Sequence, residues 1–336
     1  MPAKSRFTRE ADFRRERDFG AKVGATFEFV VAQFKPLMKC LLYFVLPGAL
    51  LAGIGMGLFM SKLLGMLPSG PTGRNRLGGP VQIAQQYDPT NPFANATAVL
   101  GIGLTALGFL AAFILLSSTV YGFVRVRMAT PPEERVEPGR VWAVVWARLG
   151  RVIGAWLLIS IIMVIGMGVI GGALSLIGPG FIVLMGPLLL WVGVCLSLYF
   201  PALWMEDGGV TAAFRRSFYL IKGKWWSTLG LYLIISFITG VINYLFIIPF
   251  YALMMSKVLL HWEFDMELLS VAAMSFYALG WVFTAVLPLV AMLFQYFNLV
   301  ERREGVGLRQ LISQLGQTTA PQVSSATYRP DEEGEY

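Results

Sequence analysis

The sequence predicts an all-α, polytopic membrane protein with six transmembrane helices and cytoplasmic amphipathic interfacial helices. Three observations carry that prediction. All 27 basic and 20 acidic residues lie outside five uncharged runs, Cys40–Ser61, Pro89–Val124, Val152–Met205, Trp225–Ser256 and Leu268–Val300. The runs hold 22, 36, 54, 32 and 33 residues, and about 20 apolar residues cross a bilayer core. Stretches such as Trp156–Ile165 do not alternate apolar with polar residues. That excludes barrel strands and leaves helices, which satisfy their own backbone groups in lipid.

The first run makes one span, about 40–61, and the second makes another, about 97–123. The 54-residue run is too long for one helix and is broken by Gly178-Pro179-Gly180, where proline lacks a donor and glycine relaxes the backbone. It therefore makes two spans, 152–177 and 181–205. Spans at 225–253 and 269–300 complete the set. The membrane domain is expected over 18–317, with a basic tail at 1–17, an outside loop at 62–93 and an acidic, disorder-prone tail at 318–336.

Loops rich in Lys and Arg stay cytoplasmic. Basic residues number nine in 1–39, six in 125–151, four in 206–224 and four in 301–336. The alternate loops carry three in 62–88 and only Lys257 in 257–267. Both termini are thus expected in the cytoplasm, in the inner membrane of a prokaryote. About 39 mostly polar residues precede the first span, so a cleavable signal peptide is not expected.

An amphipathic stretch precedes each odd-numbered span, which suggests three related hairpin units. In the first, Phe19, Val23, Phe27, Val30, Val31 and Phe34 recur at helical spacing, with Ala21, Ala25, Glu28, Ala32 and Lys35 opposite. The second opens on Pro138 and sets Val141, Trp142, Val145 and Leu149 against Arg140, Arg148 and Arg151. The third follows Glu206-Asp207-Gly208-Gly209 and sets Val210, Phe214, Phe218 and Ile221 beside Arg215, Arg216 and Lys222. Each is expected to lie along the headgroup plane.

A net charge of +7 concentrated beside the membrane points to topology and anionic lipid headgroups, not to nucleic acid. The expected lipid or partner contacts are Arg140, Arg148, Arg151, Arg215, Arg216, Lys222 and Lys224. The two cysteines, Cys40 and Cys195, fall in spans and offer neither a disulfide framework nor metal-ligand spacing. No cofactor or metal is expected.

No Asp, Glu, Lys, Arg or His falls in the predicted spans, where such residues tend to mark function. That argues against proton-coupled transport and a buried-carboxylate enzyme. His261 sits with Glu263, Asp265 and Glu267 in an outside loop that reads as a solvated hairpin anchored by Trp262 and Phe264. Asn95-Ala96-Thr97 fits a glycosylation sequon but reads as a chance match at the membrane edge.

Among polar residues within spans, Ser117, Ser118, Thr119, Ser160, Asn243, Gln295 and Asn298 are expected to hydrogen-bond between helices. Asn243, Gln295 and Asn298 form the candidate intramembrane polar site. Pro249 follows Asn243 by about two turns, and Pro187 and Pro288 interrupt spans four and six; broken helices can expose carbonyls to a cavity, but packing kinks are the expected reading, since proline is common in membrane helices. Gly53–Gly57 and Gly168–Gly172 carry small-residue spacing, and close internal helix contact is expected at both.

The stretch Phe200–Trp226, with Pro201, Glu206, Ala213, Arg216-Ser217, Leu220 and Lys222-Gly223, resembles a signature of the glycerophosphoryl diester phosphodiesterase membrane-domain family. The resemblance implies a six-span module over about 19–300. The catalytic barrel of that family takes on the order of 250 residues, and no soluble segment here has room for one. The expected function is a non-enzymatic scaffold or accessory subunit, with an unidentified membrane protein as its possible partner. The alternative is a carrier or exporter of a neutral or lipid-like solute.

Overall fold

The computed structural model describes residues 7–66, 96–177, 180–260, 266–306, 309 and 312. Among them the fold is entirely helical. The elements are α1 (Glu10–Phe13), α2 (Phe19–Ala32), α3 (Phe34–Phe44), α4 (Leu46–Met66), α5 (Ala96–Ala129) and α6 (Pro138–Ile177). They continue with α7 (Gly180–Leu196), α8 (Tyr199–Met205), α9 (Val210–Ile221), α10 (Trp225–Leu260), α11 (Met266–Thr284) and α12 (Val286–Glu304).

Six stretches are long and apolar enough to cross a membrane: Leu46–Leu64, Ala96–Ala129, Pro138–Gly172, Gly186–Met205, Trp225–Leu259 and Met266–Glu304. Polar contacts identify the two ends of the bundle. At one end Arg125 near the end of α5, Arg148 in α6 and Asp207 after α8 meet, and Arg216 of α9 reaches Glu304 of α12. At the other, Lys62 of α4 pairs with Glu267 of α11 at 2.9 Å, and Lys257 of α10 donates to the Leu64 carbonyl. The spans therefore run up and down between a charged end and an opposite end. Most of the expected outside loop, the 178–179 turn, His261 and the 318–336 tail lie outside the described residues.

Four helix breaks follow one rule. Chain breaks at Gln33, Val45, Ser197–Leu198 and Ala285 each precede a proline, Pro36, Pro47, Pro201 and Pro288, by two to four residues. A proline ring clashes with the carbonyl four residues back and removes one ladder bond. Pro187, expected to interrupt its span, instead sits inside α7, and Pro249 sits inside α10.

The tightest packing joins α4, α5 and α11. A methyl on Gly55 would lie 2.5 Å from the Gly101 carbonyl and the Thr105 amide of α5, and one on Gly53 would lie 2.8 Å from Ser275 Cα of α11. Only a missing side chain permits backbones to approach this closely in lipid. Among the described residues the expected internal contact at Gly168–Gly172 is not found. Methyls on Gly166, Gly168, Gly171 and Gly172 of α6 would meet open space.

That contrast divides the molecule. In the most apolar stretch of the α11–α12 span 61% of residues are buried, against 6% in α6 and 11% in α10. α6 is 40 residues long, about 60 Å at 1.5 Å per residue. Its first half packs through Val141, Val145, Val152 and Ala155, whereas Leu157, Ile161, Val164 and Met167 stand exposed. The second amphipathic stretch is thus continuous with its span, with no separate helix in the headgroup plane.

The first amphipathic stretch also differs from expectation. α2 buries Lys22, Ala25, Thr26 and Phe29 and leaves Phe19 and Val31 exposed, and Phe34 at the start of α3 is exposed as well. The helix is turned by about one residue, or 100°, from its predicted apolar face. An aromatic nest captures Phe29 between Phe7, Phe13, Phe123 and Phe294 at centroid distances of 5.8 to 6.5 Å. Residues 7–17 of the expected tail therefore enter the core, where Phe7, Phe13 and Arg17 are buried.

Gly55→Val should destabilise the protein by about 3 kcal/mol, because overpacked cores typically lose that much. Gly168→Val should change stability by less than about 0.5 kcal/mol. Thermal unfolding of both variants in the same detergent checks the pair, and equal losses would refute the division into packed core and open wing.

Candidate functional site

The motif segment 200–226 folds as a helix, a loop and a second helix, and four arginines from three elements clamp its loop. Arg125 Nη1 donates to the Trp204 carbonyl at 2.8 Å and its Nη2 reaches Asp207 Oδ1 at 3.0 Å. Arg148 reaches the same oxygen at 2.6 Å. Arg151 donates to the carbonyls of Leu203 at 2.7 Å and Gly208 at 3.1 Å. Arg216 Nε donates to Glu206 at 2.8 Å and its Nη1 to Glu304 at 2.6 Å, while the Tyr296 hydroxyl donates to Glu206 at 2.7 Å. Two successive carboxylates thus anchor the loop to α5, α6, α9 and α12.

Each motif residue has a structural task. Pro201 lies in the first turn of α8, after the break. Ala213, Ser217 and Leu220 form the buried face of α9, and the Ser217 hydroxyl donates to the Phe214 carbonyl at 2.8 Å. Gly223 adopts φ +79°, a left-handed conformation that favours glycine, and turns the chain into α10. Val210, Phe214 and Phe218 pack against the protein core.

The expected basic contacts therefore separate into groups. Arg148, Arg151 and Arg216 turn inward onto the loop. Arg140 pairs with Glu134 at 2.6 Å on the surface. Arg215, Lys222 and Lys224 are exposed beside Trp226, which is 78% exposed.

The candidate polar site separates too. Gln295 and Asn298 are buried in α12 and meet cations that the sequence placed outside the spans. Lys22 Nζ donates to Gln295 Oε1 at 2.8 Å, and Gln295 Nε2 donates to Thr228 Oγ1 at 2.8 Å. The Arg17 amide donates to Asn298 Oδ1 at 2.8 Å. The Arg17 guanidinium donates to the carbonyls of Phe13 and Asp12 and sits 4.8 Å over the Phe294 ring. Burial draws Arg17 down to about 10 and lowers Lys22 as well. Sequence reasoning missed both residues. The available signal was the i, i+3 pairing of two amides on one face of the last span, which requires partners.

Asn243 does not join them. It is half-buried in α10, its Oδ1 has no hydrogen-bond partner, and it lies 15 residues from Thr228, about 22 Å along the helix. Ser117 bonds back to Phe113 and Ile114 of its own helix, Ser118 and Thr119 are buried without a partner, and Ser160 is exposed. The expected interhelical bonds thus form at Gln295 and at none of these four.

A cleft of about 320 Å³ at the charged end is lined by Phe7, Asp12, Arg15 and Glu28. Among the described residues no three His, Cys, Asp or Glu side chains gather as a metal site. No family model, curated protein or solved structure matches the chain.

Arg216→Met should destabilise the protein by about 2 kcal/mol, since it leaves two half-buried carboxylates without their shared donor. Tyr296→Phe should cost less, because Glu206 keeps the guanidinium. Thermal unfolding ranks the two.

The hydrogen bonds from Arg148 and then Arg125 hold Asp207 below its ordinary value of 3.8. Its stabilising contribution is full above that value and is lost as pH falls through the lowered folded value. An acid titration of melting temperature should therefore fall less steeply in that window for Asp207→Asn than for the parent. Parallel curves would contradict the clamp.

Proposed function

We propose that this multi-pass protein is a non-enzymatic membrane scaffold or accessory subunit, and that the open wing made by the distal half of α6 docks a transmembrane helix of a partner protein. The supporting observation is the different use of the same sequence device. Small residues in α4 and α5 bring backbones together inside the chain, whereas those of α6 face open space. Without a hydrophobic drive between helices in lipid, small-residue faces favour close van der Waals packing of helix on helix.

The other features fit this reading. The α4, α5, α11 and α12 core is a rigid anchor, and the arginine clamp fixes the start of α9 and the junction into α10. The basic residues at the charged end would face the cytoplasm of a prokaryote and contact anionic headgroups. The resemblance of 200–226 to stand-alone membrane modules agrees with a role that needs no catalytic domain. A carrier for a neutral or lipid-like solute is the second reading, favoured by the unpartnered Asn243 oxygen in α10.

A photo-crosslinking amino acid at Val164 or Met167, introduced in native membranes, should yield one discrete protein adduct. The same group at Leu107, exposed on α5, should yield lipid adducts. Lipid adducts alone at all three positions would overturn the docking reading. Solute movement by the purified protein in vesicles, lost on Asn243→Leu, would replace it with the carrier.

A further inference from the structure

Lys22 is a buried cation held by neutral acceptors and not by an ion pair among the described residues. It is 3% exposed, and no carboxylate among the described residues forms an ion pair with it. Its ammonium donates to Gln295 Oε1 at 2.8 Å and to Ser227 Oγ at 3.5 Å, both neutral acceptors for a group with three donors. A buried charge is costly unless it is paired. Of its charged neighbours, Arg302 and Lys224 add positive charge and Asp18 opposes them.

Thr228 Oγ1, which accepts from Gln295, lies 3.1 Å from the Lys224 carbonyl, so Lys224 stands one turn from the Gln295 amide. Arg302 lies seven residues beyond Gln295 on the same side of α12, 3.7 Å from Glu16. Both Arg302 and Lys224 weaken the hold of Lys22 on its proton. Asp18 acts the other way, and its carboxylate is engaged in capping α2 through the Ala21 amide at 2.6 Å.

α10 also begins here. Its first ladder bond runs from the Thr228 amide to the Lys224 carbonyl at 3.1 Å, so the amides of Trp225, Trp226 and Ser227 precede the ladder and carry the positive end of a 36-residue helix. Phe19 lies over Lys22 at 5.7 Å and against Gly230 of α10. Trp226 projects outward beside it, as aromatic side chains do at headgroup depth.

We propose that the junction of α2, α10 and α12 binds a phosphate oxyanion, held by Lys22 from within, Lys224 from without, and Ser227 with the α10 amides between them. The oxyanion is carried by a phospholipid headgroup or is free in solution. The site includes Lys22 and Ser227, which were not among the surface contacts expected from sequence. It is independent of the α6 wing, so its failure would leave the scaffold reading intact.

The test uses the full chain, delipidated in a non-ionic detergent and titrated by native mass spectrometry with dioleoyl phosphatidate, dioleoyl phosphatidylcholine and inorganic phosphate. Phosphatidate should bind one to one and more tightly than phosphatidylcholine. Lys22→Met and Lys224→Met should each weaken it at least about fivefold, the worth of one basic residue at a membrane surface. Ser227→Ala should weaken it less, and Arg140→Met should leave it unchanged. Lys224 is exposed, so Lys224→Met carries the test if Lys22→Met does not fold. Displacement of phosphatidate by inorganic phosphate would assign the site to the free oxyanion, and its absence would assign it to lipid. Equal affinity for the two lipids together with no phosphate binding, or phosphatidate binding unmoved by Lys22→Met and Lys224→Met, overturns the proposal.

Discussion

A polar side chain inside an apolar bundle must find a partner or lose its hydration uncompensated, and the charged end of this protein is built around that constraint. α12 is where it acts. Within ten residues the helix presents Gln295, Tyr296, Asn298 and Glu304, and each is met by a different element. Lys22 and Arg17 arrive from the N-terminal segment, Glu206 from the loop after α8, and Arg216 from α9. Removing any of these partners strands a buried donor or acceptor on α12, so segments distant in sequence are tied to one helix.

The arginine clamp extends the same logic to the loop at 206–209. Asp207 is exposed, yet Arg125 and Arg148 converge on a single oxygen of it. The backbone carbonyls of Leu203, Trp204 and Gly208, left over at the end of α8, are taken up by Arg125 and Arg151. A helix end leaves carbonyls that its own ladder cannot satisfy, and arginine, with five donors in a fixed fork, can serve several at once. The loop is therefore rigid, and it fixes where α9 starts and how the chain turns at Gly223 into α10.

At the opposite end the joining force is steric. The α4, α5 and α11 backbones approach because glycine removes the atoms that would separate them. The wing has the same small residues, and a methyl on Gly166, Gly168 or Gly171 would meet no atom of the described residues within 4 Å. One half of the molecule is thus closed on itself, and the other presents apolar surface along α6 and α10.

Much of the architecture was legible in the residues. Five charge-free runs of 22 residues or more, the longest broken at Gly178-Pro179-Gly180, determine six helical spans, because lipid permits only helices or closed barrels and the runs lack the alternation of barrel strands. The proline-linked breaks were partly legible, since Pro288 acts as its chemistry requires while Pro187 and Pro249 sit in helices that absorb the lost bond. The motif at 200–226 was visible as a pattern, but its purpose was not. Nothing in a linear sequence shows that Arg125, 82 residues from Asp207, shares that carboxylate with Arg148.

The sequence by itself thus determined the fold class, the number of spans and which segments gather at the charged end, because these depend on hydration and length alone. Tertiary structure decided the rest. It turned α2 away from its apolar face, since the aromatic nest and the α12 amides together outweigh one amphipathic stripe. It placed Lys22 inside a bundle whose predicted spans carry no charge, and it made one glycine stripe a packed seam and left the other open among the described residues. Such outcomes depend on which partner reaches a group first in space, and that is set by the folded chain.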